Sequence, residues 1–336
     1  MAGDTNSTDN QAPFRAGGST DVTAPFRAGG KVVVDRGSTA LQAPFKGLGG
    51  VDHHGITLAI IGVGLISGSF ALAWKEKGWA KHVIGVSRTE ASQKKAIELG
   101  LIDEALPLEE AVKKSDFIYV AIPVDATIPT MVKIMDLVTE KQIVADAGST
   151  KFALCDALKN HPMRKRFVAT HPMWGTEYSG PEAAVKNAFV GRACVICEAE
   201  KSDPAAVTLV EYIYRQLGMN IIYMEALAHD VHAAYISHIS HITSFALANT
   251  VLEKEKEENT IFDLAGGGFE STVRLAKSSP AMWAPIFMQN RENVLEVLNE
   301  HISQLRKFKA SLEKENMDYL YELMNNANKI RKVLDK

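Results

Sequence analysis

Apolar runs and amphipathic stretches alternate along the chain from Ile56 onward. "ITLAII" is a short continuous apolar run, the pattern of a strand buried on both faces. "LISGSFALAWKEKG" has helical spacing, with Gly78 near its stop. The alternation continues through "HVIGVS" (strand), "EASQKKAIELG" (helix), "DFIYVAIP" (strand) and "ATIPTMVKIMDLV" (helix). "KQIVADAG" (strand), "KFALCDALKN" (helix) and "RFVAT" (strand) follow. Strands separated by helices of this length imply a parallel, doubly wound α/β sheet with right-handed crossovers.

Near Ala226 the strand pattern ends. "EALAHDVHAAYISHISHITSFALANTVLEKEKE" reads as one long helix, and further helices follow. The last long one carries Val294, Leu298, Ile302, Leu305, Phe308 and Leu312 at spacings of three or four. The expected division is an extension over 1–52, an α/β domain over 53–225 and an all-helical domain over 226–336. The extension repeats "APFRAGG" twice and then "APFKGLGG" among Gly, Ser, Thr and Asp. Such a composition cannot bury a core and is expected to be disordered alone. It reads either as a leader or linker, or as linear motifs that tether a partner multivalently.

The charge balance narrows the function classes. Formal net charge is -3, which leaves no basic footprint for nucleic acid. No stretch approaches the ~20 apolar residues of a membrane helix, and no secretory signal is seen at the N-terminus. Three cysteines make no disulfide framework, which suits a reducing cytoplasm. Cys194 and Cys197 form C-x-x-C, but inside "GRACVICEA", a strand-like run in which residues three apart face opposite ways. They are read as core cysteines.

The candidate chemistry begins after the first strand. Gly62-Val63-Gly64-Leu65-Ile66-Ser67 stands at the strand-to-helix turn where a dinucleotide pyrophosphate binds. Gly62 would make the tight turn, Gly64 would admit the pyrophosphate, and Ser67 is small enough for close helix packing. The second strand ends in Ser87, Arg88 and Thr89, with no carboxylate for a ribose hydroxyl. A hydroxyl and a guanidinium suit a 2′-phosphate, so NADP is expected over NAD. Ser149 lies just past one strand and His171 just past another, where ligands of such sheets bind. His171, held by Pro172 as an exposed side chain, has the ordinary pKa of a base for an alcohol proton. The long helix carries His229, His232, His238 and His241. At about 100° per residue the two pairs fall on opposite sides, so no metal site is expected. Arg274 follows a run of glycines and is either a carboxylate clamp or an ion-paired helix residue.

In the order "IGVGLISGS", "DAGSTK", "THPMWGTEYSG", "SHISH" and "GGGFESTVRLAKSSPAMW", the chain from Gly55 onward resembles the prephenate/arogenate dehydrogenase family of tyrosine biosynthesis. The resemblance implies a Rossmann domain followed by a helical domain that builds a homodimer. It implies oxidative decarboxylation of prephenate to 4-hydroxyphenylpyruvate, or of arogenate to tyrosine. It further implies that His171 takes the ring-hydroxyl proton and that Ser149 helps orient it. Arg274 would bind a substrate carboxylate, His238 and His241 would line the pocket, and Glu177 would stand at its mouth. The extension is too rich in glycine for the fused mutase of some relatives, and no regulatory domain is expected after Lys336. Tyrosine inhibition, if present, would then act at the active site. A β-hydroxyacid dehydrogenase is disfavoured because it would carry a lysine where this long helix has histidines. A non-catalytic, cofactor-sensing scaffold would not need the Ser149, His171 and Arg274 set.

Overall fold

The computed structural model describes residues 33–34, 55–258 and 260–334. The "APFR" and "APFK" motifs lie outside these residues. In chain order the α/β part runs β1 (Val33–Val34), β2 (Ile56–Ile61), α1 (Leu65–Glu76), β3 (Ala80–Val86), α2 (Glu90–Glu98) and β4 (Glu104–Ala105). It continues with α3 (Leu108–Lys114), β5 (Phe117–Val120), α4 (Val124–Leu137), β6 (Ile143–Asp146), α5 (Phe152–Leu158) and β7 (Phe167–Pro172). β8 (Ala193–Cys197), α6 (Pro204–Gln216) and β9 (Asn220–Met224) complete it.

The strands form one sheet in the order β1-β9-β8-β7-β6-β5-β2-β3-β4. From β7 to β4 all neighbours are parallel, as expected. Two pairings depart from the all-parallel expectation. β8 runs antiparallel to β7, and β1 antiparallel to β9. The first departure follows from the chain between Pro172 and Ala193, which holds no α-helix and returns the strand beside its predecessor without a helical crossover. The second pairs Val33–Val34, two β-branched residues, with β9.

The sheet separates two apolar layers. Leu58, Ile60, Phe70, Trp74, Phe117 and Tyr119 lie on one side; Ile61, Ile118, Met131, Ile134, Val144 and Phe167 lie on the other. Cys194 belongs to the first layer and Cys197 to the second, so the C-x-x-C pair is split across the sheet. Both are fully buried and free. Burial pushes both thiols well above their ordinary range, as fits core cysteines.

The helical part comprises α7 (Ala226–Ala233), α8 (Ile239–Glu258), α9 (Gly267–Val273), α10 (Pro280–Gln289), α11 (Arg291–Glu313), α12 (Met317–Ala327) and α13 (Arg331–Leu334). The expected single long helix is thus divided by a π-turn over Ala234–His238. Val124 of α4 packs with Trp283 and Ile286 of α10 and fastens the helical part to the sheet. The stripe on α11 begins buried at Val294, is half-buried at Leu298 and ends exposed at Leu305 and Leu312. No described helix is long and apolar enough to cross a membrane.

Candidate active site

The carboxyl ends of β2, β5, β6 and β7 meet at one edge of the sheet. The sheet order turns back between β2 and β5, which is where a ligand crevice opens in such folds. Gly62 leaves β2 with φ +90, and an added Cβ would lie 2.5 Å from the Ala121 carbonyl oxygen. Only glycine fits both demands. A Cβ on Gly64 would meet nothing within 4 Å, so space stands open above the start of α1. Ser67 turns its hydroxyl into this loop. It accepts from Gly64 N at 3.1 Å and donates to the Gly62 carbonyl. Ser67 is fully buried, and the neighbouring Gly68 packs closely too: its Cβ would come within 2.8 Å of Ala184 Cβ. The turn, the open space and the helix N-terminus fit a dinucleotide pyrophosphate. Leu65 and Ile66 open α1 beneath it. At the end of β3, Ser87 is half-buried and Arg88 and Thr89 are exposed. The Thr89 side chain caps α2 by accepting from Ser92 N at 3.3 Å.

His171 is neither past its strand nor exposed. It lies within β7, opposite Val195, and is half-buried. Antiparallel pairing with β8 carries the ladder beyond the end expected from "RFVAT". Pro172 is accommodated as the last residue of β7.

A chain of polar contacts supports His171 from behind. Its Nδ1 lies 2.8 Å from His229 Nε2, and His229 Nδ1 lies 2.8 Å from Asp230 Oδ1. The Asp230 carboxylate also accepts from Lys151 N at 2.7 Å and Phe152 N at 2.9 Å, at the start of α5. Burial pushes the His171 imidazole well below its ordinary value, and the nearby His229, Lys151 and His238 push it the same way. A neutral ring at neutral pH is the state a base requires.

Beneath this chain lies a buried ion pair between Lys151 and Asp146, both with fully buried side chains. Asp146 also accepts from Gly148 N at 2.9 Å and Thr170 N at 3.0 Å. These bonds fix the loop after β6 against β7. Ser149 sits in that loop, half-buried, with no hydrogen bond to a described residue.

The helical part closes the other side. Asn290 Nδ2 donates to the Asp230 carbonyl at 2.7 Å and lies 3.2 Å from His238 Nδ1. His238 is buried, which holds its pKa down at about 4 despite the opposing pull of Asp230. His241 stacks on Trp283 with ring centroids 3.4 Å apart. Trp283 Nε1 is buried with no acceptor among the described residues, leaving a donor for a bound polar group. Arg274 is half-exposed, and its Nη1 lies 3.7 Å from Glu177 Oε2. The guanidinium acts on His241, helping burial to lower that imidazole's pKa.

All but one of the residues assigned to chemistry or substrate therefore form an unbroken neighbourhood: His171, then His238, His241, Arg274 and Glu177, with Ser149 in the adjoining loop. The expectation that the histidine pairs lie on opposite sides of one helix is overturned. His229 and His238 both point inward, and His232 is exposed. Nine positions on a regular helix would put His238 about 180° from His229. The π-turn absorbs about one extra residue and rotates the start of α8 back toward the site. Among the described residues no group of His, Cys, Asp or Glu could hold a metal ion. The sequence named His229 only among the histidines weighed for a metal, and it gave no role to Asp230, Lys151, Trp283 or Asn290. The available signal was a His-Asp pair one turn into a helix, and a lysine in "DAGSTK" ahead of an apolar helix.

Two family models match in tandem. "Prephenate dehydrogenase, nucleotide-binding domain" covers residues 70–223, and "Prephenate dehydrogenase, dimerization domain" covers 225–326. The first match begins inside α1, so the glycine loop rests on its own geometry. The prephenate dehydrogenase of Bacillus subtilis is 30% identical, with 82% of this chain and 75% of that protein aligned. A crystal structure of the Aquifex aeolicus enzyme with hydroxyphenyl propionate and NAD+ superposes with TM-score 0.77 at 31% identity, covering 83% of this chain and 98% of that one. Synechocystis arogenate dehydrogenase superposes with TM-score 0.66 at 26% identity, covering 83% and 99%.

Proposed function

Because the chain belongs to the prephenate dehydrogenase family, we propose that it oxidatively decarboxylates prephenate to 4-hydroxyphenylpyruvate. The observation that carries this reading is the supported His171. It has one ring nitrogen engaged by His229, no hydrogen-bond partner among the described residues for the other, and a depressed pKa. The bound dinucleotide would supply the two-electron acceptor for the carbinol carbon. His171 would take the proton of the ring hydroxyl as that carbon is oxidised. Loss of the ring carboxylate as carbon dioxide then gives an aromatic ring. Arg274 would hold a substrate carboxylate, and His238, His241 and Trp283 would wall the pocket. Positioning of this kind lowers the barrier alongside the base itself.

Arogenate differs by carrying an ammonium group in place of a keto group. Glu177 is the carboxylate that could meet it, but Glu177 already faces Arg274. Ser87 and the exposed Arg88 at the end of β3 support use of NADP. Leu305, Leu312, Met317, Tyr321 and Met324 leave an apolar surface on the helical part. A second copy of the chain would cover it, with a domain division near residue 226.

The test is the initial rate of cofactor reduction with prephenate and with arogenate, each with NAD and NADP. Faster turnover of prephenate supports the substrate reading, and faster turnover with NADP supports the role of Arg88. Turnover of arogenate alone would overturn the substrate.

A further inference from the structure

Asp230 is anchored by two backbone amides, and its carboxylate has a third partner in His229 Nδ1. An ionised carboxylate only accepts hydrogen bonds. His229 Nδ1 therefore carries the proton in that contact. A neutral His229 then offers a lone pair at Nε2, and His171 Nδ1, at 2.8 Å, must be the donor to it. With His229 neutral, this assigns the tautomer of His171: proton on Nδ1, lone pair on Nε2. The lone pair is the one a base needs.

We propose that His229 and Asp230 form a proton relay behind His171, with His229 as the positioning residue. The inference rests on the reading of His171 as the base. As the substrate O–H bond breaks, His171 Nε2–H forms. The Nδ1–H bond of His171 breaks in turn, and His229 Nε2–H forms. The positive charge comes to rest on His229, against the Asp230 carboxylate, and the number of protons is unchanged. Without the relay the charge stays on a ring that burial strongly disfavours as a cation.

The surrounding groups are arranged for this. Lys151 faces the pair from the start of α5 but is tied to Asp146. His238 faces it from the π-turn and has its own bond to Asn290. His241 lies beyond His238, engaged with the Ser237 carbonyl and the Trp283 ring. Asp230 alone among these groups has a carboxylate oxygen bonded to His229. The π-turn fits the same picture, because it brings His238 to the inward side without displacing His229.

The experiment has two arms. Nitrogen-15 NMR of histidine-labelled protein, without substrate or cofactor, reads the tautomer directly. The His171 signals are assigned by their loss in His171→Asn. The wild type should show His171 protonated on Nδ1, and His229→Leu should lose that preference. A wild-type His171 protonated on Nε2 would overturn the proposal, whatever the substrate proves to be. The second arm compares turnover of prephenate. His229→Gln keeps an amide oxygen to orient His171 but cannot carry a proton. Its kcat should fall about 10-fold, and that of His229→Leu about 10²-fold, with KM within about 3-fold of wild type in both. A His229→Leu kcat within about 3-fold of wild type would also overturn the relay. The spectra stand even if prephenate is not the substrate.

Discussion

The Arg274 guanidinium stands 3.7 Å from the Glu177 carboxylate, one from the helical part and the other from the loop after β7. Arg274 is 53% exposed, so solvent screens the pair and its contribution to stability is small. Glu177→Gln should leave the unfolding free energy within ~0.5 kcal/mol of wild type. Arg274→Ala should raise the KM for prephenate at least about 10-fold and alter kcat less, as expected for a lost carboxylate contact. Steady-state kinetics with a thermal melt on each variant checks both.

His171→Asn removes the base while leaving a side chain that fits β7. Turnover should fall by about 10²–10⁴-fold. The dissociation constant of the dinucleotide, measured by fluorescence quenching, should stay within about 2-fold. Unchanged turnover would remove His171 from the chemistry.

The two depressed imidazoles set the direction of the pH response. In the fold His171 and His238 bind protons less readily than an unfolded histidine near 6.5. Their contribution to stability is complete above that value and is lost as pH falls toward the folded values, about 4 for His238. The melting temperature should therefore be flat from about pH 8 to 7 and decline below about 6.5. The acid limb of kcat should lie below 6.5, because the base stays neutral there. An acid limb above 7 would contradict this environment for His171.

Gly62 and Gly64 should fail in different ways. Gly62→Ala places a Cβ against the Ala121 carbonyl at a positive φ, so it should destabilise the fold by roughly 1–3 kcal/mol. Gly64→Ala meets open space and should melt like wild type. It should nevertheless weaken dinucleotide binding at least about 10-fold, because the added methyl would occupy the place of the pyrophosphate. Melting curves and cofactor titration separate the two.

Asp146→Asn would leave Lys151 buried beside an uncharged amide. Loss of one partner of a buried pair should cost ~3–5 kcal/mol. Chemical denaturation of the variant checks it.

The α/β part was legible because its strands are buried on both faces, and "ITLAII" or "DFIYVAIP" has little alternative. The reversed β8 was not, because "ACVIC" reads alike in either direction and only the connecting loop decides. His171 was found from its place near a strand end. His229 was not, because periodic counting assumes a regular helix and the π-turn shifts the phase between His229 and His238. The close approach at Gly68 was not legible either: spacing identifies a crowded turn, while contact with Ala184 comes from a distant loop. Lys151 and Asp146 carried no assignment in the sequence, because nothing in two opposite charges five residues apart marks them as a buried pair until the fold encloses them together.

The most direct measurement follows prephenate consumption, cofactor reduction and carbon dioxide release together in one reaction of the purified protein. Equal amounts of reduced cofactor and carbon dioxide for each prephenate consumed, with both lost in His171→Asn, is the predicted result. Cofactor reduction without carbon dioxide, or no reaction of prephenate with either cofactor, would contradict the assignment.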